Sequence, residues 1–401
     1  MKAGFDLPAQ PAPWRVPQAY TQLPRGTIAL LSGVPDLSLV PVAAIARAYR
    51  RALRPAALGY ADPRGDVALR TQLATMLSAL RGVAATADSV LVTRGSQQAL
   101  DLAARALLRP GDVVAVEALG YSPAWAALAA AGATLVPIRV DAGGMRVDEL
   151  AALTATRPVR AVYLTPHHQY PTTVTLAAPR RLALLELARK QRIAIFEDDY
   201  DFDFHYDGRP VLPLASADRD GVVVYFGTLS KVLAPALRLG FVVAPELVIE
   251  KLASLRVIND RQGDTVVERA VAELLEDGEV LRHARRMRRI YESRRDLFVH
   301  ELRKRLGTVL ELDVPAGGMA VWAGAPGVDV EAWSERALAH GVATLPSRRF
   351  TFAGSPPAAL RLGFATHAED ILREAVKRLA AALPKRGERV GQRPIRQTAP
   401  R

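Results

Sequence analysis

The sequence predicts an α/β protein: a mostly parallel, seven-stranded sheet between helices, followed by a smaller α+β unit. Three observations predict it. Between Val83 and Ala244, short β-rich runs alternate with helical stretches. Those runs are apolar almost throughout, as in strands buried on both faces. After about residue 250 the texture changes to long helical patterns broken by short strand-like pieces.

The first 40 residues are rich in proline and are expected to wrap across to the second unit. The β-runs are Ser89–Thr93, Val113–Glu117, Thr134–Ile138, Ala161–Thr165, Ile193–Glu197, Val222–Phe226 and Leu239–Val243. Helical stretches such as Gln97–Leu108, Pro123–Ala131 and Pro179–Lys190 lie between them, the arrangement of parallel strands with helical crossovers. The last two runs are joined by a loop around Lys231 without a full helix, so one of these strands is expected to be antiparallel. A ligand is then expected beyond the carboxyl ends of the strands. Further on, helices are predicted over Val266–Leu275, Val280–Arg305, Val330–His340 and Glu369–Leu383. Strands are predicted at Thr308–Asp313, Met319–Trp322, Ala343–Leu345 and Ala359–Phe364. This divides the chain into an N-terminal arm with part of the small domain (1–44), a large domain (45–260), a small domain (261–384) and a disordered basic tail (385–401).

Composition excludes several classes. Of 401 residues, half are hydrophobic and 23% are charged, which is the balance of a globular chain with a sizeable core. There is no stretch of about 18 uninterrupted apolar residues, so no membrane span is expected. Met1–Asp6 lacks the organisation of a signal peptide, and a cytoplasmic location is expected. Cysteine is absent, which removes disulfides, thiolate metal sites and thiol nucleophiles, and no His/acid spacing points to a metal site. The net charge of +12 raises the question of a nucleic-acid partner. Its distribution argues against one: the tail holds six basic residues and one acidic, and the run Arg282–Arg289 reads as a solvated helix face. No direct DNA binding is expected.

The chemistry concentrates in two strand ends. The apolar run Ile193–Phe196 ends in Glu197-Asp198-Asp199-Tyr200, and three acids there are costly to bury unless each has a partner. The next run leads into Gly227-Thr228-Leu229-Ser230-Lys231, with Arg238 seven residues further. Any one of these groups alone reads as an ordinary solvated loop. Together they are what pyridoxal 5′-phosphate requires. A partly desolvated lysine condenses with the aldehyde, a carboxylate faces the protonated pyridine nitrogen, and hydroxyls with an arginine hold the phosphate.

At these residues the chain resembles the fold-type I, class I/II pyridoxal phosphate-dependent aminotransferases, and more closely the aminotransferase-like domain of MocR-type regulators of the GntR superfamily. Seven ordered motifs between Leu31 and Leu383 carry the resemblance. They are Gly33–Asp36, Gly59–Gly65, Thr93–Leu100, Thr165–Thr172, Glu197–Asp201, Gly227–Lys231 and Leu360–Phe364. The resemblance implies that Lys231 is the Schiff-base lysine, that Asp198 faces the pyridine nitrogen and that Tyr200 bonds the ring hydroxyl. It implies a phosphate cup of Gly95, Ser96, Gln97, Thr228, Ser230 and Arg238, and that Tyr121 stacks on the ring. Arg361 is implied to clamp the substrate α-carboxylate, and Tyr60 to reach the neighbouring subunit's phosphate in a homodimer. Substrates would be an amino acid and a 2-oxo acid.

The sequence departs from the family pattern at one turn. Tyr170 stands where many relatives carry Asn, which puts the second ring-hydroxyl contact in question. Thr173 stands where many carry Gly, so an altered turn is expected. His167 and His168 at this strand end read equally as residues in or just behind the substrate pocket or as a polar loop, and His168 is taken as a candidate substrate contact. Two functions from different classes follow. One is a free-standing aminotransferase; the other is a ligand-sensing effector domain of a MocR-type regulator without its winged helix-turn-helix. Only about thirty proline-rich residues precede Leu31, too short for that module. A lyase, racemase or decarboxylase shares the same first half-reaction.

Overall fold

The computed structural model of the chain describes residues 23–31 and 33–384. The start of the predicted N-terminal arm (1–22) and the basic tail (385–401) lie outside the described residues. The seven predicted β-runs become seven strands: β1 (Val90–Thr93), β2 (Val113–Glu117), β3 (Thr134–Ile138), β4 (Val159–Leu164), β5 (Ala194–Asp199), β6 (Val223–Thr228) and β7 (Gly240–Val243). They form one sheet in the order β1-β7-β6-β5-β4-β2-β3. Strand β7 is antiparallel to both of its neighbours, whereas the remaining pairs are parallel. The reason is the connection: the β6–β7 link holds only a short 3-10 turn, Pro235–Leu237, and a parallel crossover needs a dozen residues or more.

Eleven helices accompany the sheet among the described residues: α1 (Val42–Ala52), α2 (Val67–Arg81), α3 (Ser96–Leu107), α4 (Ser122–Ala130), α5 (Val147–Thr156), α6 (Ala178–Gln191), α7 (Glu246–Asn259), α8 (Thr265–Glu276), α9 (Glu279–Leu306), α10 (Val330–Ala339) and α11 (Glu369–Ala381). Successive strand residues divide between two apolar layers. Leu91, Val114, Phe196 and Phe226 pack with α3, α4 and α7 on one face. Val92, Ala115, Ile195 and Val223 pack with α2, α5, α6 and α8 on the other. Both faces are therefore dry, which is why the strands are apolar at consecutive positions. A fully buried aromatic such as Phe226 contributes about 1.5–3 kcal/mol to this packing.

The smaller unit is built on β8 (Ala320–Gly324), β9 (Leu345–Pro346) and β10 (Ala359–Gly363), an antiparallel sheet in the order β8-β10-β9. Two expectations are corrected here. The predicted strand Thr308–Asp313 is reduced to a single bridge between Glu311 and Gly324, because the run leads to Pro315, which has no N–H to extend a ladder. The predicted strand Ala343–Leu345 is split: Val342–Ala343 pairs in parallel with Ile28–Ala29, and Leu345–Pro346 joins β10. On α9 the basic run presents Arg282, Arg285, Arg286, Arg288 and Arg289 to solvent and buries His283, Ala284 and Met287. No described helix is long and apolar enough to cross a membrane.

Candidate active site

Strand β5 sorts its three acids by alternation, since neighbouring side chains on a strand point to opposite faces. Glu197 accepts the backbone N–H groups of Leu214 and Ala215 at 2.7 and 2.9 Å. Asp199 accepts the Tyr225 hydroxyl at 2.6 Å and lies 3.6 Å from the Arg81 guanidinium. Asp198, between them, faces the other way. Its Oδ2 accepts the Tyr163 hydroxyl at 2.7 Å, and its Oδ1 has no partner among the described residues. Burial pushes the Asp198 carboxyl up to about 6; the Tyr163 hydrogen bond opposes this, and the charges of Asp199 and Asp201 add to it.

Asp198 opens into a cavity of about 630 Å³ at the carboxyl ends of β4, β5 and β6, also lined by Lys231, Ser230 and Thr228. Protein encloses the Lys231 amine although part of the side chain meets the cavity. Desolvation first, then the positive charge of Arg361, lower its pKa to about 8; Asp201 and Asp198 pull the other way.

The opposite end of the cavity is the N-terminus of α3. Gly95 caps this helix and no side chain does, so its first N–H groups are available to an anion. Gly95 sits at φ 78°, and a Cβ there would stand 2.8 Å from Arg238 Nη2, so glycine is what lets the guanidinium close on the helix end. Arg238 itself donates to the Arg94 carbonyl at 3.0 Å. Ser96, Gln97 and Tyr121 complete this wall. Thr228 Oγ1 accepts the Ser230 N–H at 3.1 Å and donates to the Leu239 carbonyl, which ties the β6 loop to β7.

Aromatic rings and an arginine form the remaining side. Tyr170 meets Tyr121, Tyr200 and Phe350 edge-on at 5.5, 5.9 and 5.4 Å between ring centres. The Arg361 guanidinium lies 4.5 Å from the Tyr170 ring centre. Arg361 is 1% exposed, yet its Nε and Nη1 have no hydrogen-bond partner among the described residues. A buried cation with two undirected donors is costly unless an anion meets it. The Tyr200 hydroxyl donates to the His168 carbonyl at 3.0 Å. These residues fit pyridoxal 5′-phosphate: a free carboxylate oxygen, an amine of depressed pKa and an open helix N-terminus with an arginine share one cavity.

Eleven of the sequence-predicted residues line that cavity: Gly95, Ser96, Gln97, Tyr121, Tyr170, Asp198, Tyr200, Thr228, Ser230, Lys231 and Arg238, with Arg361 as a twelfth. Two do not. His168 is fully buried behind the wall, its Nδ1 at 2.8 Å from Asp201 Oδ1, so the expectation of a substrate contact is corrected: Asp201 draws the ring away from the cavity. Tyr60 is 83% exposed, with Arg261 stacked over its ring at 4.1 Å. Thr173 keeps the left-handed backbone that glycine would take, at φ 66°. Gln169 holds the turn against that strain: its carbonyl accepts the Thr173 N–H at 2.6 Å and its Oε1 accepts the Thr172 hydroxyl at 2.6 Å.

Tyr163 and Glu117 are additions that sequence reading misses. Glu117, pushed up to about 7 by burial, holds the Thr165 N–H and hydroxyl at 3.1 and 2.9 Å behind the cavity wall. A signal for Tyr163 does exist: a buried strand-end acid needs a donor, and Tyr163 is a polar residue on the run beside it.

Comparison with known proteins shows the family. The family model of class I and II aminotransferases matches residues 25–379, and the chain belongs to that family, whose aminotransferases use pyridoxal phosphate. An aromatic-amino-acid aminotransferase of Thermococcus litoralis is 33% identical over 365 residues, covering 89% of this chain and 88% of that protein. A probable rhizopine catabolism regulatory protein, MocR, of Rhizobium meliloti is 32% identical over 384 residues, 94% of this chain and 75% of that one. Among solved structures, a multiple substrate aminotransferase from Thermococcus profundus is similar with a TM-score of 0.83 at 32% identity, over 90% of this chain and 92% of that one. The α-aminoadipate aminotransferase LysN of Thermus thermophilus, complexed with N-(5′-phosphopyridoxyl)-L-leucine, has the same TM-score at 30% identity and the same coverage.

Proposed function

We propose that the chain is a pyridoxal phosphate-dependent aminotransferase acting between an amino acid and a 2-oxo acid, with Lys231 as the residue that holds the cofactor. One observation carries this reading: the enclosed Lys231 amine shares a cavity with the unpartnered Asp198 Oδ1 and the open N-terminus of α3. Bound there, the cofactor supplies an electron sink for negative charge at the substrate α-carbon. Asp198 Oδ1 would accept the pyridine N–H and keep its proton in place, while Tyr163 fixes the carboxylate through Oδ2. The N–H groups of α3, Ser230, Thr228 and Arg238 hold the phosphate. Tyr121 would stack on the ring, and Tyr200 would meet its hydroxyl. Arg361 Nε and Nη1 take the substrate α-carboxylate. Lys231 Nζ would hold the cofactor and, as a neutral amine of depressed pKa, could take up and return the substrate α-proton.

The depressed pKa of Lys231 has a testable sign. Only the neutral amine attacks an aldehyde. Uptake of pyridoxal phosphate by the apoprotein is therefore expected to rise about tenfold between pH 7 and 9 and then level, as a midpoint of about 8 requires. Stopped-flow absorbance measures it. A rise that continues undiminished to pH 10 would mark an ordinary lysine. Arg361→Ala is expected to raise KM for the amino acid about 10- to 100-fold, the worth of a charge-assisted pair, without loss of cofactor absorbance. An unchanged KM would remove Arg361 from substrate recognition.

The same reading includes a homodimer in which Tyr60, exposed on its own chain, reaches the neighbour's phosphate. It also includes a cytoplasmic location, no direct DNA binding and the domain division at residues 44, 260 and 384. The resemblance to a MocR regulator favours one second reading, a ligand sensor. A panel of amino acids, each followed by a 2-oxo acid, tests between them. Turnover through both half-reactions supports the enzyme; a cofactor spectrum that shifts on amino-acid binding and never turns over supports the sensor.

A further inference from the structure

Behind the cavity wall three histidines meet. His167 and His168 follow β4, and His205 follows the 3-10 turn Phe202–Phe204 beyond β5. All three are more than nine-tenths buried, and ring nitrogens of the three lie within 4.8 Å of one another. Each ring bonds an oxygen through one nitrogen: His167 Nδ1 to the Val211 carbonyl at 3.1 Å, His168 Nδ1 to Asp201 Oδ1 at 2.8 Å, and His205 Nε2 to the Asp207 carbonyl at 2.8 Å. Carbonyl and carboxylate oxygens only accept, so these nitrogens carry the protons. The nitrogens left with lone pairs are His167 Nε2, His168 Nε2 and His205 Nδ1, and none has a partner among the described residues.

From this we propose that His167, His168 and His205 form a binding site for a divalent transition-metal ion of the zinc class. One water has two protons and cannot satisfy three buried acceptors, whereas one cation accepts all three lone pairs. Oxygen partners on the second nitrogens are the arrangement that fixes tautomer and ring direction in metal-ligating histidines. An all-imidazole set suits zinc, cobalt, nickel or copper rather than magnesium or calcium. Metal–nitrogen bonds of about 2.0–2.1 Å place tetrahedral ligand nitrogens roughly 3.3 Å apart, so binding an ion requires the three rings to draw together. Gly317, bridged to His205, lets His168 Nε2 lie against its backbone where any side chain would collide. Three protein ligands leave a fourth position for a water or small anion. The site adjoins the cofactor cavity without entering it: the His168 carbonyl accepts the Tyr200 hydroxyl. An ion here would hold that carbonyl in place.

The test uses untagged, full-length protein loaded with pyridoxal phosphate and stripped of metals with a chelator. Titration with Zn²⁺ by calorimetry is expected to give one ion per chain, and Co²⁺ to give the visible bands of a low-symmetry site. His167→Phe and His205→Phe should each weaken Zn²⁺ binding about 100-fold or more, and keep the cofactor absorbance that reports an intact fold. His300→Gln, on the exposed face of α9, should leave the affinity unchanged. Failure of the wild-type chain to bind stoichiometric Zn²⁺ would overturn the proposal, as would undiminished binding in the His167→Phe/His205→Phe double variant. Neither outcome depends on aminotransferase turnover.

Discussion

Lys231→Ala is expected to abolish the near-visible absorbance of the protein-bound cofactor and to lower amino-group transfer by about 10⁴-fold or more. Two functions are lost in one substitution. The covalent attachment goes, because the cavity offers no other lysine amine among its lining residues. The proton carrier at the α-carbon goes as well, and Asp198 cannot replace it, because the Tyr163 hydroxyl fixes it on β5 beyond the pyridine ring. Phosphate contacts at α3 and Arg238 remain, so the variant should still bind pyridoxal phosphate reversibly. The measurement is an absorbance spectrum of cofactor-saturated wild type and variant before and after borohydride. A borohydride-trapped adduct in the variant would show that another amine holds the cofactor.

Asp198→Asn should lower kcat by on the order of 10²–10³-fold while leaving the cofactor bound. Asparagine preserves the shape of the side chain and can still accept from Tyr163, but it removes the negative charge opposite the ring nitrogen. Without ligand, that charge is unfavourable: burial holds the Asp198 carboxyl up near 6. A protonated ring nitrogen at Oδ1 supplies the missing counter-charge and stabilises the ionised form, and the carboxylate in return keeps the ring protonated. Tyr163→Phe should have a smaller effect of the same kind, since it loosens the carboxylate without neutralising it. Steady-state rates with a saturating amino acid decide this. An Asn variant within threefold of wild type would mean that the carboxylate is not what keeps the ring an electron sink.

The strands of the main sheet are legible because parallel strands buried on both faces are apolar at most consecutive positions, and few other elements read that way over five or six residues. That either β6 or β7 runs antiparallel is legible from the shortness of the Lys231 loop; the pairing shows that it is β7. The small domain reads less well, because its pairing depends on remote partners: Val342–Ala343 finds Ile28–Ala29, more than 300 residues away, and Leu345–Pro346 finds β10. Most of the candidate site is legible because it is built from loops and strand ends that follow one another in short, ordered motifs. His168 reads as a pocket residue because it stands beside Tyr170; only its hydrogen bond to Asp201 shows that it turns away.

What the sequence by itself determines is the chemistry brought to the strand ends: a lysine, a carboxylate and an arginine, on runs whose order predicts an α/β sheet. Only the tertiary structure decides which of three consecutive acids faces the cavity, that Tyr163 holds it, that Arg361 keeps two donors free and that His205 joins His167 and His168. The physical reason is the same in each case. Local spacing sets the side chains that a strand end presents, whereas their hydrogen-bond partners come from neighbouring strands and distant loops, whose register is settled by packing across the whole domain.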